Sequence, residues 1–228
     1  FKITSPTNAT INHLQLIKIF DEKKIFLLQD PIIDIQKIEK LKKQKIDPYF
    51  EKNQFIVAIG RLTKQKNFKF LISCFQKLTD SQPNLKLVIL GDGEEMQNLK
   101  KLIHTKNLEN NIFLLGHSQN VFSYLSRAKL FILSSLWEDP GWVLLEAAAS
   151  NTLILSSDCK NGPSEIIDNN NAGQLYKSDD EQDFINKFNK IMSLDKVQID
   201  SKKLFAKKKS YSYTKFQHFK NLEEIISI

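Results

Sequence analysis

The chain has 228 residues, 41% of them hydrophobic and 26% charged, with a formal net charge of +7. This composition excludes collagen, a disordered tail and a small disulfide scaffold, and the length suffices to bury a sizeable core in a soluble globular protein. No run approaches the ~18–20 apolar residues of a membrane-crossing helix. The start, Phe1-Lys2-Ile3-Thr4-Ser5-Pro6, has neither an initiator Met nor a signal-peptide core, so a piece of something longer is expected.

Taken in chain order, residues 1–4 and 24–28 read as strands around a helix over 9–20. Asp30-Pro31-Ile32-Ile33 follows, then a Lys-rich stretch over 35–45, and Pro48 bars a continuous helix into what comes next. Residues 1–34 are read as the remnant of a preceding domain plus a linker. Short apolar runs then alternate with amphipathic ones. Strands are predicted over 55–59, 85–90, 111–115, 129–133 and 152–155, with a weaker sixth over 173–176. Helices are predicted over 68–79, 94–106, 121–126, 143–150, 164–168 and 181–193, where apolar residues recur at spacings of three and four. The strands run into Gly60, Gly91, Gly116, Ser134 and Ser156. Apolar strands alternating with helices imply an α/β fold, a Rossmann-like parallel sheet with helices on both faces, here over residues 35–200. Ligands of such sheets bind at the carboxyl ends of the strands. Residues 201–228 read as a tail, first Lys-rich, then aromatic, then helical.

Several constellations fall at those strand ends. Gly60-Arg61-Leu62-Thr63-Lys64-Gln65-Lys66 places Arg61 and Lys66 before a helix N-terminus, which suits a diphosphate, although the segment taken alone reads better as two exposed cations in a turn. Glu138-Asp139-Pro140-Gly141-Trp142-Val143 leads into a helix carrying Glu146. Free N–H groups there suit an anion, and the two carboxylates suit sugar or ribose hydroxyls. The competing reading makes Glu138 and Asp139 capping acids and Glu146 solvent-facing. Gly91-Asp92-Gly93 reads as a structural turn rather than the three-glycine dinucleotide fingerprint. Ser164 reads as the N-cap of a later helix. Trp137 and Trp142 read as core and rim packing. His117 follows a strand-ending glycine and can line the cleft, whereas His13, His104 and His218 read as surface residues. The histidines and the two cysteines, Cys74 and Cys159, match no metal spacing, so no metal and no cofactor is expected, and a reducing cytoplasmic compartment suits the cysteines. The charge excess admits a polyanion, an anionic membrane or a phosphate-bearing ligand. No nucleic-acid-binding signature accompanies it, and no nucleic-acid partner is expected.

Together these segments resemble the C-terminal, nucleotide-sugar-binding half of retaining GT-B-type glycosyltransferases of family four. Ala58-Ile59-Gly60-Arg61-Leu62 with Lys66 is similar to the family's GRL…K segment. Val88-Ile89-Leu90-Gly91-Asp92-Gly93 resembles its GxG turn, and residues 112–116 resemble the strand before its base-binding loop. Glu138 and Glu146 match its E-x7-E motif, and Gly162-Pro163-Ser164-Glu165-Ile166-Ile167 resembles a segment of polysaccharide-building members.

The resemblance implies that Arg61 and Lys66 hold the donor diphosphate and stabilise the leaving charge. It implies that Glu138 positions the donor sugar, that Glu146 holds the ribose, and that N–H groups near Gly141, Trp142 and Val143 cradle phosphate or sugar. The base would lie near Gly116 and His117. The donor would be a nucleotide-diphosphate-sugar and the acceptor a glycan or a lipid-linked saccharide. A cytoplasmic enzyme, peripheral at the inner face of the membrane, is then expected. Asp139 departs from the family, which has glycine there. The acceptor domain is almost absent, so weak or no transfer is expected from this chain alone, and the segment from about Tyr211 resembles the helix that packs back on that domain. Two rivals stand: a non-catalytic Rossmann-like interaction module, and a nicotinamide-dependent oxidoreductase, which the missing three-glycine fingerprint disfavours.

Overall fold

The structure is a computed structural model, and it describes residues 1–227. The last residue of the expected tail, Ile228, lies outside the described residues. Two sheets divide the chain. The smaller pairs β1 (Ile3–Ser5) in parallel with β2 (Ile25–Leu27), and α1 (Asn8–Leu16) connects them. α1 stops short of the expected residue 20 because Lys18 takes a left-handed backbone, φ 53°, which ends a helix.

The chain then runs through α2 (Ile35–Leu41) and α3 (Pro48–Lys52). Pro48 stands at the first position of α3, where its missing N–H costs nothing. Six parallel strands follow: β3 (Ile56–Ile59), β4 (Leu87–Leu90), β5 (Ile112–Gly116), β6 (Leu130–Leu133), β7 (Ile154–Ser157) and β8 (Gln174–Tyr176). They lie in the order β5-β4-β3-β6-β7-β8. The strands alternate with α4 (Phe68–Ser81), α5 (Met96–Thr105), α6 (Val121–Leu125), α7 (Trp142–Ala149), α8 (Pro163–Ile167) and α9 (Glu181–Met192).

Every residue of β3, β4, β6 and β7 is buried, which is why these strands read as unbroken apolar runs. Alternate residues serve opposite faces. Val57 and Ile59 join a core with α6 and α7, while Ile56 and Ala58 join one with α4 and α9. The expected α/β architecture is therefore present, with helices on both faces.

Local differences from the sequence reading have local causes. α5 begins at Met96 rather than 94, because the Glu95 N–H donates to the Leu62 carbonyl and residue 95 becomes the cap. Ser164 is not an N-cap: Gly162 holds that place and Pro163 opens α8. α10 (Lys196–Ser210) is a regular helix running through the boundary expected at residue 200. A reciprocal capping box between Asp195 and Gln198 starts it. After a short turn, α11 (Lys215–Ser227) packs back on the N-terminal segment. Lys2 Nζ donates to the Ile225 carbonyl, and His218 Nδ1 lies 2.7 Å from the Gln29 carbonyl, so His218 is half-buried rather than a surface residue. Ile33 pairs with Thr214, tying the linker to the tail.

Candidate functional site

Chain order reverses between β3 and β6, which are neighbours in the sheet. With all strands parallel, their carboxyl ends open a crevice on one edge, the place where doubly wound sheets take ligands. The loops leaving β3 and β6 both end there, and they are bonded to each other. The Leu136 N–H donates to the Gln65 carbonyl over 2.8 Å, Gln65 Nε2 donates to the Trp137 carbonyl over 2.9 Å, and Ser134 Oγ donates to the Lys66 carbonyl over 2.7 Å.

This zipper brings Lys66 to Glu138. Lys66 Nζ lies 2.5 Å from Glu138 Oε1, and Ser135 Oγ donates to the same oxygen over 2.5 Å. Both side chains are largely buried, at 13% and 5% exposure. Among the described residues Glu138 Oε2 has no partner. Ser135 is held in turn, because its carbonyl accepts Ser157 Oγ at 2.8 Å and Ser178 Oγ at 3.3 Å. The Glu138 N–H donates to the Lys160 carbonyl over 3.0 Å, so the loop after β7 braces the same glutamate.

Two glycines permit this crowding. Gly91 approaches the Gly60 carbonyl so closely that a Cβ would stand 1.9 Å from its oxygen. Gly162, at φ +117°, comes within 1.8 Å of the Pro140 carbonyl by the same measure. Gly141, at φ 88°, is the N-cap of α7 and makes no side-chain cap bond, so the first N–H groups of that helix, at Trp142 and Val143, begin at the crevice.

Glu146 lies one turn further along α7. It is half-buried, and among the described residues its carboxylate has neither a cation nor a hydrogen-bond donor. Burial alone pushes its carboxyl up to about 7. The solvent-facing alternative for Glu146 therefore does not hold. Arg61 is exposed just past β3, and its guanidinium is unpaired among the described residues. Gly116 closes β5 with φ +77°, and its carbonyl accepts the Gly91 N–H over 2.8 Å. His117 follows it, exposed.

Thus the structure joins Lys66, Glu138 and Gly141 directly, and sets Trp142, Val143 and Glu146 along the first turns of α7. Arg61 follows β3, and Gly116 and His117 lie at the end of β5, two strands away on the same edge. Trp137 and Trp142 are half-exposed, at 50% and 46%, and not core residues. Sequence reasoning missed Ser135. Its only signal was a pair of serines closing a strand before the glutamate. Among the described residues no group of His, Cys, Asp and Glu is placed to hold a metal ion.

Residues 39–210 match the family model for glycosyl transferases group 1. A glycosyltransferase of Methanocaldococcus jannaschii is 41% identical over 140 residues, covering 60% of this chain and 34% of that protein. A diphospho-undecaprenol-linked N-acetylgalactosaminyltransferase of Campylobacter jejuni is 30% identical over 161 residues, covering 71% of this chain and 43% of that protein. The chain spans less than half the length of these relatives. Among solved structures, Anabaena HepE in complex with UDP superposes with a TM-score of 0.83 at 18% identity, covering 99% of this chain and 63% of that one. Staphylococcus aureus TarM in complex with UDP superposes with a TM-score of 0.79 at 23% identity, covering 98% of this chain and 43% of that one. These neighbours share its fold, and with the match over 39–210 the chain belongs to the glycosyl transferases group 1 family.

Proposed function

We propose that this chain is the donor-binding part of a family-four glycosyltransferase that moves a sugar from a nucleotide-diphosphate-sugar to a glycan or lipid-linked acceptor, with retention of configuration. The reading rests on one observation above the rest. At the edge where β3 meets β6, a glutamate is fixed by a lysine and a serine, and α7 opens uncapped beside it.

In this reading Arg61 and Lys66 take the diphosphate, and the Trp142 and Val143 N–H groups at the head of α7 add their dipole. Their positive charge stabilises the leaving group as its negative charge builds. Glu138 offers Oε2 to a donor-sugar hydroxyl while Oε1 stays anchored. Glu146 accepts from the ribose hydroxyls, which supply the donors it lacks in the protein. The base rests near Gly116 and His117. No metal ion is required for these roles. Residues 1–34 belong to the acceptor side of the enzyme, 35–200 form the donor domain and 201–228 cross back, so the chain alone transfers little or nothing. The enzyme works at the cytoplasmic face of a membrane as a peripheral protein. The Campylobacter relative, named for an undecaprenol-linked acceptor, supports that placement. Among the described residues no helix is long and apolar enough to cross a membrane.

Calorimetric titration with nucleoside diphosphates tests the site. The chain is expected to bind, and Arg61→Ala and Glu146→Ala are each expected to weaken binding about tenfold, the loss of one good charged hydrogen bond. Equal binding by the parent and both variants refutes the site. No binding at all, together with stable association with another protein, favours an interaction module.

A further inference from the structure

We infer that the outward face of α10 docks the protein on an anionic lipid surface. α10 packs on α7 through small residues, with Ala206 at 1% exposure and Ser210 at 0%. Ile199 also packs inward, against the core shared by α4 and α9, but the other large apolar side chains face away: Val197 is 79% exposed, Leu204 53%, Phe205 49%, and Tyr211, at its end, 43%. Positions 197, 204, 208 and 211 follow helical spacing and share one face. A surface helix ordinarily turns such residues inward, and this one leaves most of them facing water.

Charge identifies what covers it. α10 carries six lysines and a single acid, Asp200. Lys202 is engaged by the Asn170 and Gly173 carbonyls, and Lys207 reaches Glu39 at 3.7 Å. Lys196, Lys203, Lys208 and Lys209 have no such partners among the described residues. An apolar stripe alone fits any hydrophobic partner, and a basic patch alone fits any polyanion. Apolar residues between lysines on one helix fit a bilayer interface, where the chains insert below headgroups that carry negative charge. The helix lies in the interface and does not span it. The inference rests on the membrane part of the proposed function and gives it a surface.

Co-sedimentation of the chain with phosphatidylcholine vesicles, with and without about 30 mol% phosphatidylglycerol, tests this. At least tenfold tighter binding to the anionic vesicles is expected, falling in 0.5 M salt. Leu204→Asp combined with Phe205→Asp is expected to abolish binding while leaving the circular dichroism melt unchanged, because both side chains face water. Lys203→Ala and Lys208→Ala are expected to cost about fivefold each. Equal binding to neutral vesicles, no binding to anionic ones, or variants that bind like the parent overturns the inference. Self-association lost in the double aspartate variant, without vesicle binding, makes the face a protein interface and overturns it as well. Titration with a nucleoside diphosphate separates the two readings. A chain that binds nucleotide but no vesicles loses only the docking face. One that binds vesicles but no nucleotide loses only the transferase.

Discussion

Glu138 and Glu146 stand one on each side of the α7 N-terminus, and the protein treats them oppositely. Glu138 sits in a loop, yet it is the better fixed of the two. Lys66 and Ser135 bind one oxygen, Lys160 braces its backbone, and the loops on either side are hydrogen-bonded together. Glu146 sits on a regular helix, yet its half-buried carboxylate has no donor to offset the water it has lost. The first region is assembled before any ligand arrives. The second holds a cost that only an outside donor relieves. Rigid secondary structure therefore does not mark the preorganised half of this site; cross-bonded loops do.

The largest effect should come from breaking the preformed half. Lys66→Ala leaves Glu138 buried beside Ser135 without its cation, and is expected to cost about 3 kcal/mol in denaturant unfolding. Adding Glu138→Gln should recover much of that loss, since the uncompensated charge is then gone. If Lys66→Ala unfolds like the parent, the ion pair is not what fixes the glutamate. Next comes Gly162→Ala, which forces a side chain into a left-handed backbone against the Pro140 carbonyl. A cost of about 2 kcal/mol is expected, together with weaker nucleotide binding, because the displaced segment leads into α7. A variant with unchanged stability and affinity would show that the loops after β6 and β7 are not coupled.

The two regions also differed in how much the sequence disclosed. The strands were legible because burial on both faces makes each an unbroken apolar run, and their parallel order put Gly60, Ser134 and Gly141 on a common edge. Arg61, Lys66, Glu138 and Glu146 were reachable as charged residues at strand ends. What pairs with what was not. The role of Ser135 depends on β3 and β6 being neighbours, a contact across 72 positions between Lys66 and Glu138 that no local pattern encodes. Trp137 and Trp142 were half legible for the same reason: core and rim packing were both expected of them, and only the fold puts the two at the rim. α10 was obscured because most of its large apolar side chains face water, and such a helix looks like a basic tail.

The smallest effect should come from the unpaired half, and its pH dependence gives it away. The Glu146 carboxyl titrates near 7 in the folded protein and near 4.5 when unfolded. The folded state thus keeps a proton that the unfolded chain has lost, and stability is expected to fall as pH rises from 4.5 to 7, then level off. Glu146→Gln keeps the shape and removes the charge. It should flatten that profile and gain about 1 kcal/mol at pH 8, well below the full linkage because the half-buried carboxylate keeps part of its water, read from unfolding curves between pH 5 and 8. Ribose hydroxyls donate best to an ionised carboxylate, so nucleotide affinity of the parent should rise with pH across the same window, while the variant binds weakly throughout. A parent whose stability is flat over that range would mean that Glu146 is solvated after all, and the contrast between the two glutamates would vanish.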